Sequence, residues 1–233
     1  MSTPEGETAH GQIIGDELVN PTSSEIWNVN LELPGRGPLS IRAVDADIRT
    51  HPVASVMLPS CVPLIQGKGS YEAAILEVAG ARPFVQADTF LSGQREGGRY
   101  RVSPGVAFAA GSGEMSKNGV NNILFSFVTF LNEDGQWGMQ AGAIGDGVRL
   151  AMFKAEEIGA TSLAVPLIGY GVAKKPLDTV LEGIEEGIGR YIGKPIPWRT
   201  TRLGRLDILA PNPTDEVRAG LANTFQNLQR LAA

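Results

Sequence analysis

The 233-residue sequence has few of the residues from which metal and redox sites are built. It contains one cysteine, Cys61, and two histidines, His10 and His51. A single cysteine excludes an intramolecular disulfide and a cysteine-based metal cluster, and so few nitrogen and sulfur ligands argue against a zinc site. We therefore expect no metal and no resident cofactor, and a reducing compartment.

Positive charge and long apolar runs are also scarce. Charged residues make up 19% of the chain and the net charge is −5, so the basic surface typical of nucleic-acid binding is not expected. The apolar run from Ser162 to Ile168 is far too short to span a bilayer, and the polar start MSTPEGETAHG does not resemble a signal peptide. These features predict a cytoplasmic protein with neither a nucleic-acid nor a membrane partner.

Apolar residues and glycine, by contrast, are plentiful. The hydrophobic fraction of 42% is sufficient for one large core, and 29 glycines indicate many tight turns and close backbone approaches. We interpret residues 1–20 as a flexible arm and residues 21–233 as a single domain with an N-terminal hairpin and a C-terminal helix.

The apolar pattern alternates between strand and helix periods along the chain. It predicts strands at 26–33, 39–46, 53–58, 85–91, 106–110, 122–131, 162–168 and 206–210. It predicts helices at 71–79, from 146 or 147 to 158, at 177–192 and at about 216–231. This order predicts an α/β fold, a three-layer α/β/α sandwich with a mixed central sheet. Trp27 and the phenylalanines of 122–131 are expected in the core, and Trp137 is expected to be exposed.

Two glycine loops follow predicted strands. One is QGKGS at 66–70, with Ser70 as the expected helix N-cap, and the other is IGYGV at 168–172. Ligands bind beyond the carboxyl ends of strands in such sheets, and backbone N–H groups of glycine loops bind anions. Each loop alone could be an ordinary turn, but together they predict a cleft for a diphosphate. The candidate binding residues are Gly67, Lys68, Gly69, Ser70, Ile168, Gly169, Tyr170, Gly171 and Val172.

The same segments resemble a known family. ADI at 46–48, VASVML at 53–58, QGKGS followed by AAILEVAG, and TSLAVPLIGYGVAKKP at 161–176 together resemble a macro domain over about residues 40–210. The resemblance implies a fold that binds ADP-ribose or a related nucleotide, either free or linked to a protein. It implies that Asp47, beside Ile48, accepts a hydrogen bond from the adenine amine. It also places the first loop beside the distal ribose and a phosphate, and the second loop around the diphosphate.

The sequence departs from the family pattern at positions that matter for catalysis. Cys61 or a neighbour stands where the family has an asparagine that orients the distal ribose, and Lys175 replaces an aromatic residue that packs on it. Glu72 matches the aspartate that activates water in hydrolytic members. Three hypotheses follow: a binding module, an ADP-ribosyl hydrolase that uses Glu72, and a scaffold for protein interaction that has lost the ligand.

Several residues keep two interpretations. Cys61 as a nucleophile would need a histidine in contact, which nothing in the sequence supports. Lys174 and Lys175 could clamp phosphates or lie in solvent. Asp45 shares a strand face with Asp47, and we assign a ligand role to Asp47 alone. The glycine-rich segment 92–121 has no counterpart in the family pattern.

Overall fold

The computed structural model describes residues 13–14, 17–18, 24–33, 37–64, 67, 69–131, 137–139, 142–170, 174–193 and 203–231. Its strands are β1 (Ile13–Ile14), β2 (Glu17–Leu18), β3 (Ser24–Leu33), β4 (Gly37–Asp45), β5 (Ser55–Val62), β6 (Arg95–Glu96), β7 (Arg99–Tyr100), β8 (Ala107–Gly111), β9 (Asn122–Leu131), β10 (Trp137–Met139), β11 (Ser162–Pro166) and β12 (Arg205–Leu209). Its α-helices are α1 (Ser70–Ala79), α2 (Arg82–Gly93), α3 (Ala143–Glu157), α4 (Leu177–Ile192) and α5 (Asp215–Leu231).

An eight-stranded mixed sheet forms the centre of the fold. Its order is β10-β9-β5-β11-β12-β4-β3, and β8 also pairs with β9. The strands β9, β5, β11, β12 and β4 are mutually parallel, whereas β3, β8 and β10 pair antiparallel to their neighbours. The predicted mixed sheet is therefore confirmed, and the carboxyl ends of five parallel strands lie along one edge.

Helices cover both faces of this sheet. The apolar residues of α3, α4 and α5 share one buried cluster with Val29, Leu31 and Leu33 of β3. Those of α1 and α2 share a second cluster with Phe125 and Phe127 of β9. Because the two clusters lie on opposite faces, the α/β/α sandwich is confirmed.

Local sequence signals account for several element ends. Gly80 follows α1 with φ +74°, a left-handed conformation that glycine adopts without strain. Thr214 precedes α5, and its Oγ1 accepts a hydrogen bond from the Val217 N–H at 3.3 Å. The helix α3 begins at Ala143, three residues before the earliest start that the sequence predicted for it.

The prediction of a strand at 85–91 was wrong, because these residues belong to α2. Pro83 lies in the first turn of that helix, where proline's missing N–H costs nothing. Phe84, Ala87 and Leu91 are buried at intervals of three and four residues, which is helical spacing.

Trp27 is also misassigned by the sequence pattern, since it is 42% exposed. A register shift between Glu25 and Trp27 interrupts the pairing of β3 with β4. A bulge inserts one residue and shifts the alternation of faces. Ile26 consequently packs against the core instead of the tryptophan.

The segment without a family counterpart contains the β6–β7 hairpin, β8 and a 3-10 helix at Gly113–Asn118. Phe125 and Phe127 are buried as predicted, and Phe130 is partly buried against the same cluster. The predicted turn at 132–136 and the side chain of Trp137 lie outside what the structure describes. The division into an arm at 1–20 and a domain at 21–233 stays a prediction.

Candidate functional site

The candidate site lies along the edge formed by the carboxyl ends of the parallel strands. Residues 63–69 follow β5, residues 167–176 follow β11, residues 210–214 follow β12, and residues 46–54 follow β4. The strands β5 and β11 are direct neighbours, so the segments that contain the two predicted glycine loops begin at adjacent strand ends. Asp47 follows β4, two strands beyond β11, or about 10 Å at the usual strand spacing. An elongated ligand would therefore be needed to contact all three segments.

The first glycine loop leads directly into α1. Gly67 has φ +72°, and Gly69 rather than the expected Ser70 is the N-cap. Oε2 of Glu72 accepts a hydrogen bond from the Gly69 N–H at 3.3 Å, which satisfies one donor at the helix start. Glu72 is 2% exposed, so its carboxylate belongs to the helix cap. Lys68 lies outside the described residues.

The second glycine loop begins with a tight turn. Ile168 is buried, and Gly169 has φ +86°, where a side chain would be strained. The Tyr170 N–H donates to the Leu167 carbonyl at 3.3 Å, and the Lys175 N–H donates to the Gly169 carbonyl at 2.9 Å. This second bond closes a loop between residues 169 and 175. Gly171 and Val172 lie outside the described residues.

The space around Gly169 is also limited. A Cβ atom added there would lie 3.1 Å from Cγ of Lys175 and 3.4 Å from Cε of Met139. Tyr170 is 39% exposed, and Lys174 is exposed with φ +46°. The ammonium of Lys174 therefore lies at the surface, while the stem of Lys175 packs on the glycine.

Asp47 is positioned by the turn that follows β4. The backbone N–H groups of Thr50 and His51 donate to its carbonyl at 3.1 and 3.0 Å. A hydrogen bond from the Arg49 side chain lowers the pKa of Asp47, and the Arg49 backbone and charge add to this, although partial burial opposes it. Asp47 is thus an anion with a cation beside it, and the neighbouring Ile48 is buried.

A small cavity opens beside Asp47, between the ends of β4 and β12. Its volume is about 260 Å³, and it is lined by Asp45, Ala46, Asp47, Thr50, His51, Pro52, Pro211 and Asn212. Oδ1 of Asp45 accepts the Asn212 N–H at 2.8 Å, so Asp45 joins the two loops. Complete ligand pockets usually measure roughly 300–1,000 Å³, so this cavity suits one part of a ligand.

Below this cavity lies a buried charged cluster that the sequence pattern does not indicate. Asp207 on β12 is fully buried, and Nε and Nη2 of Arg42 donate to its two oxygens at 2.7 and 2.8 Å. Nε2 of His51 lies 2.7 Å from Oδ2, and Nε of Arg205 lies 3.1 Å from it. Burial alone would raise the pKa of Asp207, but hydrogen bonds from His51 and Arg42 and the charges of Arg205 and Arg42 lower it to about 2.

This cluster fixes the orientation of His51. Because an ionised carboxylate can only accept, Nε2 of His51 carries the proton that bonds Asp207. Among the residues that the structure describes, Nδ1 of His51 has no hydrogen-bond partner. His51 is 3% exposed and lines the 260 Å³ cavity. The Asp207 carboxylate therefore holds one wall of the cavity in place.

Tyr71 is a second residue that the sequence pattern missed. It lies in the first turn of α1. Burial, together with the nearby Asp47 charge, raises the pKa of Tyr71 to about 12, although a backbone hydrogen bond with Leu167 opposes the shift. These interactions place Tyr71 between the Asp47 turn and the loop after β11. Residue spacing along the sequence does not indicate Tyr71, because the groups it interacts with follow two different strands, β4 and β11.

A larger cavity of about 580 Å³ lies between the N-terminal parts of α3 and α4. It is lined by Met139, Gly142, Ile144, Lys175, Thr179, Glu182, Gly183 and Glu186. Met139 and Lys175 are the two side chains nearest to Gly169, so this cavity adjoins the second glycine loop. Its walls carry both acidic and basic groups.

Other candidate chemistry does not assemble at this edge. Cys61 is buried in β5, and the Nε2 atom of His51 contacts Asp207. Within the described ranges, histidine, cysteine and carboxylate side chains form no group of three or more that could hold a metal ion. In the same ranges, helices long and apolar enough to cross a membrane are absent.

Known structures share this architecture, although no family model and no curated protein matches the sequence. An Oceanobacillus iheyensis macrodomain with ADP has a TM-score of 0.63 and 12% identity, covering 88% of this chain and 97% of that chain. A variant of that macrodomain with ADPR has a TM-score of 0.64 and 12% identity, covering 88% of this chain and 100% of the other.

A Trypanosoma brucei macrodomain in complex with ADP-ribose has a TM-score of 0.57 and 13% identity, covering 81% of this chain and 68% of that one. These structures come from two organisms, and each covers most of this chain. Identity this low establishes shared architecture rather than shared chemistry. The chain therefore has the macrodomain fold.

Proposed function

We propose that this protein binds ADP-ribose or a related nucleotide diphosphate along the carboxyl edge of its sheet. The observation that carries the proposal is the adjacency of the strand ends from which the loops after β5 and β11 begin, with Asp47 two strands away. Solved proteins of the same fold include macrodomains with ADP and with ADP-ribose. A molecule with a base at one end and a diphosphate further along matches this arrangement.

The base would occupy the 260 Å³ cavity beside Asp47, whose carboxylate can accept from an exocyclic amine. The diphosphate would lie over the two glycine loops. There the first backbone N–H groups of α1 lack partners inside the helix and can donate to anionic oxygens. Lys68, Gly171 and Val172 complete these loops in the proposal. Tyr71 would lie between the two ends of the ligand.

The ligand could be free or linked to a protein. The 580 Å³ cavity on the α3/α4 side is lined in part by Lys175 of the segment after β11, and it would leave room there for a group attached to the nucleotide. With a net charge of −5, the chain offers no excess of cations for a nucleic-acid backbone. We therefore keep a nucleotide, rather than a polynucleotide, as the partner.

Isothermal titration calorimetry with ADP-ribose tests the proposal directly. We expect saturable binding with one site per chain, and weaker binding in Asp47→Asn, because an amide presents only one acceptor oxygen and no charge. Asp88→Asn, an exposed position on α2, is the control and should bind as the wild type does. Absence of heat and of a thermal shift at millimolar ADP-ribose would refute the proposal and favour the scaffold hypothesis.

Hydrolysis is the alternative activity, and Glu72 is its proposed base. The observed role of Glu72 as a cap separates the two functions experimentally. Glu72→Gln retains an acceptor for the Gly69 N–H, so it should fold and bind normally, whereas Glu72→Ala should lose about 1 kcal/mol of stability. Release of ADP-ribose from a modified protein by the wild type, together with its loss in Glu72→Gln, would establish the hydrolase. We expect the two proteins to be indistinguishable in this assay.

A further inference from the structure

The carboxylate of Asp47 is already occupied by its own chain. Its Oδ1 accepts from the Arg49 backbone N–H at 2.9 Å and from Nε at 3.0 Å. Its Oδ2 accepts from Nε at 3.0 Å and from Nη2 at 2.6 Å. The Nε–H group is shared between the two oxygens, so three N–H groups of Arg49 face the roughly four acceptor positions of the carboxylate. A base amine must therefore compete with the guanidinium for the Asp47 oxygens.

Arg49 has a second acidic partner within reach. Its Nη1 lies 3.4 Å from Oε2 of Glu77 on α1. The side chains of Arg49, Asp47 and Glu77 are 41%, 40% and 68% exposed, so the guanidinium is not packed in place. The backbone around it is held by the turn hydrogen bonds to the Asp47 carbonyl. The guanidinium can thus shift from Asp47 to Glu77 without movement of the loop.

The pair also presents two kinds of group to one edge of a base. Asp47 can accept from a 6-amino group once Arg49 leaves. Arg49, while it stays, offers N–H donors that suit the oxygen of a 6-keto group, as arginine does when it contacts O6 and N7 of guanine. The two bases therefore make opposite demands on the same side chain.

We propose that Arg49 determines the base preference of the site: it competes with a 6-amino purine for Asp47 and itself binds a 6-keto purine. The proposal depends on the nucleotide-binding function given above. It predicts that the wild type discriminates weakly between ADP and IDP, whose bases differ in the group at C6 and in N1, which is an acceptor in adenine and an N–H donor in hypoxanthine. It also predicts that Glu77 assists the adenine form by receiving the displaced guanidinium.

Calorimetric titration of ADP and IDP into the wild type and Arg49→Gln tests this inference. Release of an exposed ion pair should tighten ADP binding about two- to fivefold. Loss of the charged donor should weaken IDP binding about three- to tenfold. Arg101→Gln removes an exposed arginine that pairs with Glu96, outside the edge loops, and should leave the ADP-to-IDP ratio unchanged.

A double-mutant cycle separates the shift of the Arg49 guanidinium to Glu77 from a general charge effect. Glu77→Gln should weaken ADP binding when Arg49 is present and have no effect in the Arg49→Gln background. An unchanged ADP-to-IDP ratio in Arg49→Gln, or weaker binding of both nucleotides, would overturn the inference while the binding function stands. If neither ADP, IDP nor ADP-ribose binds the wild type, the proposed function fails and the inference falls with it.

Discussion

Gly169→Glu is expected to abolish ADP-ribose binding, with a loss of about 100-fold or more. The glutamate would have to adopt a backbone φ near +86°, and its Cβ would lie close to the side chains of Lys175 and Met139. Its carboxylate would then lie in the loop proposed to hold the diphosphate. Like charges in close contact cost several kcal/mol, and each 1.4 kcal/mol corresponds to about tenfold in affinity.

Gly80→Glu is the matched control for this variant. Gly80 also has a left-handed φ of +74°, but it lies at the C-terminal end of α1, and an added Cβ there would meet no atom within 4 Å. The two variants therefore share the backbone strain and the added charge, and they differ in their distance from the carboxyl ends of the parallel strands. Titration calorimetry should show normal binding for Gly80→Glu. Normal binding by Gly169→Glu would mean that the loop after β11 is not part of the site.

Asp207→Ala should destabilise the fold by about 3 kcal/mol. Breaking a buried ion pair typically costs roughly 3–5 kcal/mol, because the partner charges lose their counter-ion. We place this cluster at the low end because the Arg42 and Arg205 side chains retain 25% and 24% exposure. Urea unfolding measures the loss, and Asp88→Ala on the surface of α2 should change stability by no more than about 0.5 kcal/mol. Equal effects from the two substitutions would contradict the role assigned to the cluster.

The same carboxylate should give the protein a specific acid sensitivity. Hydrogen bonds and charges lower the pKa of Asp207 to about 2, from an ordinary value of 3.8. A group with a depressed folded-state pKa contributes stability that is present above the unfolded value and lost as pH falls through the folded value. The wild type should therefore lose stability between about pH 4 and pH 2. Asp207→Asn, which cannot titrate, should show a flatter profile in that window.

Local structure was largely readable from the sequence where a single element carries the signal. The glycine loop predicts the start of α1, and Gly80 predicts its end. The positions of Ile75 and Ala79 predict which face of the helix is buried. The strand at 122–131 was found with its bounds because its apolar run is long and rich in residues that favour strands. The predicted strand at 85–91 is wrong because a short apolar run fits both periods, whereas Pro83 marks the start of a helix.

Residues outside the glycine loops were harder to identify. Asp207 and Arg42 are 165 positions apart, and they meet only because β12 pairs with β4. Tyr71 became a candidate only when α1 placed it between Asp47 and Leu167. The competition of Arg49 for Asp47 is local in sequence, but side-chain direction after a turn is not encoded by hydrophobic period.

The sequence by itself determined most of the helices and strands, the two glycine loops and the absence of a cysteine framework, because backbone conformation and residue chemistry act over a few neighbouring positions. The tertiary structure decided which strand ends are neighbours. It placed the loops after β5 and β11 at adjacent strand ends, turned Glu72 into a helix cap and buried Asp207 among cations. Strand order depends on pairing between distant segments, so the form of the site was fixed only when the sheet was assembled.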